Sequence, residues 1–140
     1  VALWATQKLL PMIPGGEFAN SLGKCRQAAL KLYDKIAADS RFKTIIKPEL
    51  DIVVWAPSGD KASEISALSQ NGFDLAADNN LHLATFSYPA RLLKGTWKDV
   101  EFDEEQVTCL RSCLMKPEHL DWIDRIWEIL DKTVKGINKK

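Results

Sequence analysis

Apolar residues recur every three or four positions in two parts of the chain, and each pattern predicts an amphipathic helix. The first stripe consists of Phe18, Leu22, Cys25, Ala29, Leu32 and Ile36. The second stripe consists of Leu120, Ile123, Trp127, Leu130 and Val134. Proline suits the first turn of a helix, and Glu118 and Asp121 complement its positive end. We therefore predict a long helix over residues 17–38 and a final amphipathic helix that begins at Pro117.

Four shorter apolar segments predict β-strands. They are FKTIIKP (42–48), DIVVWAP (51–57), LHLATFSYP (81–89) and VTCLRSCLMKP (107–117). The second is continuously apolar and rich in β-branched residues, as expected of a central strand buried on both faces. Between the second and third strands we predict a helix with Asp60 as N-cap, a buried face of Ala62, Ile65 and Leu68, and an end at Asn71-Gly72.

This order of elements predicts an α+β fold. We expect a sheet of about four strands, mostly antiparallel, with helices on one face and a long connecting helix in front of it. The breaker PMIPGG (11–16) separates that helix from VALWATQKLL, which is typical of the end of a helix and would leave apolar side chains uncovered. We therefore interpret the chain as a piece of a longer protein, or as a processed or truncated product.

Composition narrows the classes of function. The 19 basic and 19 acidic residues balance, which gives no electrostatic reason to expect nucleic acid or an anionic membrane as partner. No apolar run approaches the roughly 20 residues of a transmembrane helix. The three cysteines, Cys25, Cys109 and Cys113, lack metal-ligand spacing, and we interpret them as reduced, buried thiols of a cytoplasmic protein. The two histidines give no metal cluster.

The usual catalytic and phosphate-binding signatures are missing from the sequence. We interpret His82 as a surface or structural residue and His119 as a solvated residue in the first turn of a helix. We interpret Asp103 with Glu104-Glu105 as a solvated acidic loop, and the five tryptophans as packing residues.

Arg111 is the exception, because it interrupts an apolar strand. Alternation along a strand places Cys109, Arg111 and Cys113 on one face and Leu110 and Leu114 on the other. A guanidinium suits a carboxylate held by two hydrogen bonds, and the alternative is a structural salt bridge with an acid elsewhere in the fold.

At this point the chain resembles the pyridoxal-phosphate-dependent amino-acid decarboxylases of group II. Leu110-Arg111 followed by Pro117 is similar to the last strand of that family, and EHLDWIDRIWEILDKT is similar to its final helix. VALWATQKLL resembles the last helix of the family's large domain. GEFANSLGKCRQAALKLYDKI resembles its interdomain helix, and PELDIVVWAP resembles a strand of its small domain.

The resemblance implies that residues 1–16 are a remnant of the large domain, and that 17–140, with the connecting helix 17–38, form the C-terminal small domain. It implies a lyase that uses pyridoxal phosphate, acts on an amino acid and works as a cytoplasmic homodimer. Within that enzyme, this domain would contact the large domain of the same protein. No catalytic, cofactor-binding or metal-binding residue is expected in this chain, which would be inactive alone. Arg111 would lie near the substrate carboxylate or orient the domain.

Two alternatives remain. One is the small domain of an aminotransferase-like pyridoxal-phosphate enzyme. The other is a free-standing α+β interaction module that binds a peptide or RNA on its sheet. For RNA, Trp55 and Phe86 are available for stacking, but the sequence lacks the basic and aromatic run that such sheets carry.

Overall fold

The computed structural model describes residues 2–137, so Val1 and residues 138–140 of the predicted segments lie outside the described part. The helices are α1 (Ala2–Leu9), α2 (Glu17–Ala37), α3 (Ala62–Asp78), α4 (Ala90–Leu93) and α5 (His119–Ile137). The strands are β1 (Phe42–Thr44), β2 (Ile52–Pro57), β3 (Ala84–Pro89) and β4 (Gln106–Cys113). They form one sheet in the order β1-β2-β4-β3, and each neighbouring pair is antiparallel. The predicted α+β architecture, with its long helix before the sheet, is confirmed.

The two periodic helices lie close to where the apolar stripes place them, although α5 begins two residues after Pro117. The first and third strands are shorter than predicted, and β2 matches its segment closely. Strand β4 ends at Cys113, four residues before the predicted end at Pro117. The predicted end of α3 at Asn71-Gly72 is wrong, because the helix continues to Asp78. Gly72 is buried in its middle, where an added Cβ would lie 3.1 Å from Ile137 Cδ1. This glycine therefore permits close packing of α3 on α5 and does not end the helix.

The main core lies on the first face of the sheet, where α2, α3 and α5 cover β2 and β4. Val53, Trp55, Leu110 and Leu114 point into it, and all four are buried. Trp55 Nε1–H donates a hydrogen bond of 3.1 Å to Ser112 Oγ inside this core. The pair joins β2 to β4 and supplies the buried indole with a partner, which a buried donor requires.

The second face is covered over only part of its area. The covering segment (residues 90–102), which leads from β3 to β4 and begins with α4, packs on Ala56, Val107 and Cys109. It is fixed at β1, where Trp97 Nε1–H donates to the Thr44 carbonyl oxygen at 2.8 Å. The packing of this segment makes it a second layer of the fold.

Asp103 caps α3, which corrects two expectations. The N-cap residue is Lys61, not Asp60, and it forms no side-chain cap hydrogen bond. Asp103 instead accepts hydrogen bonds from the Ser63 amide at 2.9 Å and the Ser63 hydroxyl at 2.6 Å. These bonds hold the pKa of the Asp103 carboxyl below its usual range. The acidic loop is therefore attached to the helix start and is not simply solvated.

Helix α1 leaves most of its side chains exposed. It has no buried residue, and Leu3, Trp4 and Leu9 are all exposed. The interpretation of the tryptophans as packing residues holds for Trp55, Trp97 and Trp127 and is wrong for Trp4 and Trp122, which are exposed. In the part of the chain that the structure describes, no helix is both long enough and apolar enough to span a membrane.

Candidate functional site

Arg111 lies in the middle of the sheet, on the face that alternation predicts. It pairs with Val54 on β2 and with Ala84 on β3, so it has neighbours in both adjacent strands. The covering segment packs on the part of this face that includes Cys109, two residues earlier on β4, and Val54 lies at the margin of that contact. Beyond this margin Ile52, Phe86 and Cys113 are exposed. We call the uncovered area the open end of the second face. Its members are Ile52, Val54, Ala84, Phe86, Arg111 and Cys113.

The side chains that surround Arg111 among residues 2–137 are mainly apolar. Its Cζ lies 5.5 Å from the centroid of the Phe86 ring, in a cation–π arrangement. Its Nε is buried and has no hydrogen-bond partner among residues 2–137. Within the same residues no carboxylate lies within 4.0 Å of the guanidinium, so the alternative of a structural salt bridge is not observed there.

The cysteines differ in their surroundings. Cys109 is fully buried, and burial raises the pKa of its thiol to about 12. Cys25 is buried as well, and burial together with the nearby Asp51 carboxylate raises the pKa of its thiol. Cys113 is exposed at the open end, so the expectation of three buried thiols is wrong for this residue. All three are free of disulfide bonds.

Several other sequence predictions have clear positions. His82 is exposed, whereas His119 is half-buried and its Nδ1 accepts a hydrogen bond of 3.4 Å from the Lys116 amide. Trp55 lies in the main core, on the face opposite Phe86, and therefore cannot stack an RNA base beside it. Sequence reasoning did not anticipate the contact between Phe86 and Arg111, although alternation on two neighbouring strands was the available signal.

Comparisons with known proteins show the fold. No protein-family model matches the chain, and no match was found among curated proteins. The structure is similar to tryptophan decarboxylase of Catharanthus roseus in complex with L-tryptophan, with a TM-score of 0.67 and 13% identity over 96% of this chain and 25% of that one. It is similar to Oryza sativa TDC with PLP and tryptamine, with a TM-score of 0.69 and 12% identity over 96% of this chain and 26% of that one.

A third similar structure is the glutamate decarboxylase domain of diaminobutyrate-pyruvate transaminase and L-2,4-diaminobutyrate decarboxylase from Vibrio parahaemolyticus. Its TM-score is 0.63, with 11% identity over 96% of this chain and 25% of that one. This chain spans about a quarter of the length of these proteins. It shares its fold with a part of each of these proteins.

The described residues do not fit pyridoxal phosphate by themselves. That cofactor requires an amine for its aldehyde, a partner for the ring nitrogen and donors for the phosphate, all converging on one cavity. A cavity of about 540 Å³ contains Arg91 and Lys94 but is also lined by Asp103, Glu104 and Glu105. Three carboxylates repel a phosphate. Among residues 2–137 there is also no cluster of three or more side chains that could hold a metal ion.

Proposed function

We propose that this chain is the C-terminal domain of a pyridoxal-phosphate-dependent amino-acid decarboxylase, in which it shapes and closes the active site. The proposal is supported by the fold that 96% of the chain shares with three proteins named as decarboxylases or as a decarboxylase domain. The amine that holds the cofactor and the groups that anchor it belong to another part of the longer protein. When bound there, the cofactor supplies the electron sink for loss of carbon dioxide.

In this proposal the open end of the second face lies against the large domain, and Arg111 binds a carboxylate. The observation that carries this step is its buried Nε without a hydrogen-bond partner. An unsatisfied buried donor costs roughly 1–3 kcal/mol, and a carboxylate removes this cost by forming two charge-assisted hydrogen bonds with the guanidinium. The carboxylate comes from the amino-acid substrate or from an acidic residue of the large domain.

The neighbours of Arg111 suit such a role. Phe86 lies against the guanidinium and limits its orientations. Val54 and Ala84, the neighbours of Arg111 on the adjacent strands, have short side chains that leave the guanidinium accessible. The covering segment closes the other end of the same face, so the approach to Arg111 is from the open end alone. This chain therefore contributes binding and orientation of a carboxylate, together with exclusion of water by the apolar side chains around it.

Kinetics of the longer protein with Arg111 replaced by glutamine and by lysine distinguish the two sources of the carboxylate. If the substrate supplies it, Arg111→Gln raises KM about tenfold or more and lysine restores part of the loss, because one charge-assisted hydrogen bond contributes about 1.5–3 kcal/mol. If the large domain supplies it, kcat and thermal stability fall together and KM changes little. Arg91→Gln, at an exposed arginine of the covering segment that is not a member of the open end, is the matched control. Unchanged kinetics and stability in both Arg111 variants would contradict the assigned role.

The isolated chain provides an independent test of the decarboxylase assignment. With added pyridoxal phosphate and a mixture of amino acids, the 140-residue chain should release carbon dioxide no faster than the same mixture without protein. Decarboxylation by the isolated chain would refute the proposal. We further propose that the longer protein is a cytoplasmic homodimer, which light scattering of the purified protein and cell fractionation can test.

A further inference from the structure

A second cavity lies on the side of the molecule formed by the end of α3 and the first half of α5. Its volume is about 350 Å³, which is within the range of sites for small organic ligands. Leu81, Ile126 and Ile129 form its apolar part, and Trp122 lines it with half of its surface exposed. The remaining lining residues are polar side chains, namely Asn79, Asn80, His82, His119 and Arg125.

The turn after α3 explains why these polar groups meet. Asn80 has a φ of 59°, the left-handed conformation that asparagine tolerates better than most residues. The Asn80 amide donates to the Ala77 carbonyl at 3.0 Å, and the Leu81 amide donates to the Ala76 carbonyl at 2.9 Å. These bonds end the helix and reverse the chain, which brings His82 beside α5.

The polar lining is rich in donors and contains no carboxylate. Arg125 carries the positive charge, and within residues 2–137 it forms no ion pair and no hydrogen bond to protein. His119 Nδ1 accepts the Lys116 amide, so the neutral ring carries its proton on Nε2 and can donate from there. The acids of the first half of α5 are Asp121, Asp124 and Glu128, and Glu118 precedes the helix; all four are exposed and none lines the cavity.

The cavity also offers a flat apolar surface. The His119 and Trp122 rings are neighbours, with centroids 5.9 Å apart and planes tilted by 55°. Aromatic rings pack favourably on one another at such distances. A ligand that combines a ring with an anionic group would satisfy both parts of the lining.

We propose that this cavity binds a small aromatic anion, whose carboxylate or phosphate meets Arg125 and whose ring packs on Trp122. The site goes beyond the proposed function and does not depend on it, because none of its lining residues belongs to the open end of the second face. The cavity is formed by this chain without the cofactor or the large domain.

Amide NMR titrations of the isotope-labelled 140-residue chain test the site. Phenyl phosphate and benzoate are expected to give saturable shifts at the cavity, including the Trp122 indole signal. Benzyl alcohol, which lacks the charge, should bind about tenfold more weakly, and inorganic phosphate, which lacks the ring, should also bind more weakly. Comparison of phenyl phosphate with benzoate shows whether a phosphate or a carboxylate is preferred. Shifts that stay linear with ligand, or spread over unrelated lysines and arginines, would overturn the proposal.

Variants add a second line of evidence. Arg125→Gln should weaken phenyl phosphate binding about tenfold, whereas the control Arg91→Gln, in the other cavity, should leave it unchanged. Trp122→Ala removes an exposed ring and should abolish the preference for phenyl phosphate over inorganic phosphate. Its amide spectrum shows directly whether the fold is retained. Wild-type affinity in the Arg125 variant, or an unchanged ligand preference in the Trp122 variant, would refute the site.

Discussion

Replacement of Arg111 by methionine should make the isolated chain more stable, which is unusual for a change in the middle of a sheet. The buried Nε without a partner costs roughly 1–3 kcal/mol. The cation–π contact with Phe86 offsets about 0.5–1 kcal/mol of this cost at a half-exposed position. Methionine retains a long flexible side chain for packing and has no donors to satisfy. We therefore expect the free energy of unfolding to increase by about 1 kcal/mol.

Urea denaturation followed by circular dichroism measures this change, provided that the dependence on denaturant concentration stays the same in both proteins. Arg91→Met is the control, because Arg91 is exposed and its replacement should alter stability by less than about 0.5 kcal/mol. A loss of about 1 kcal/mol or more in the Arg111 variant would refute the reasoning, since it would mean that the guanidinium forms stabilising hydrogen bonds within this chain. In the longer protein the same substitution should lower activity, so stability and function would change in opposite directions.

Three further changes test the fold. Ser112→Ala should lower the free energy of unfolding by about 1–3 kcal/mol in urea denaturation, because the fully buried Trp55 loses its hydrogen-bond acceptor; an unchanged midpoint would contradict this bond. Cys113 should react with a thiol reagent in the native chain at mildly alkaline pH, while Cys109 stays unmodified because it is buried and its pKa is raised to about 12; mass spectrometry of the labelled protein locates the modified residue, and labelling of both would refute the burial. Gly23→Ala should raise thermal stability, with a gain of about 0.5–1 kcal/mol, since an added Cβ has open space within helix α2; a lower melting temperature would show that this position is crowded.

Features governed by local geometry were predictable from the sequence. The stripes of α2 and α5 follow from the helical repeat, and the face of Arg111 follows from alternation along a strand. Both follow from the repeat of the local backbone and do not depend on contacts with distant parts of the chain. The family resemblance, carried by motifs along nearly the whole sequence, agrees with the fold that the structural comparisons show.

Features that depend on distant parts of the chain were not predictable. Gly72 carries the same signal as a helix end, and only the position of Ile137 shows that it serves close packing. Asp103 caps a helix that begins about forty residues earlier, a relation that no local pattern contains. The covering segment has no regular period, so its packing on Cys109 could not be read from its residues. The sequence therefore could not predict how much of the sheet around Arg111 stays uncovered.

The position of β4 has a consequence for how the chain is synthesised and folded. It is the last strand in sequence, yet it lies between β2 and β3 and pairs with both. During synthesis from the amino end, the edges of β2 and β3 that pair with β4 remain unpaired until β4 leaves the ribosome. Such long-range pairing slows folding and exposes apolar edges to aggregation. We therefore expect chains that are interrupted before β4 to be captured by chaperones, and refolding of this domain to be slower than that of a helical protein of equal length.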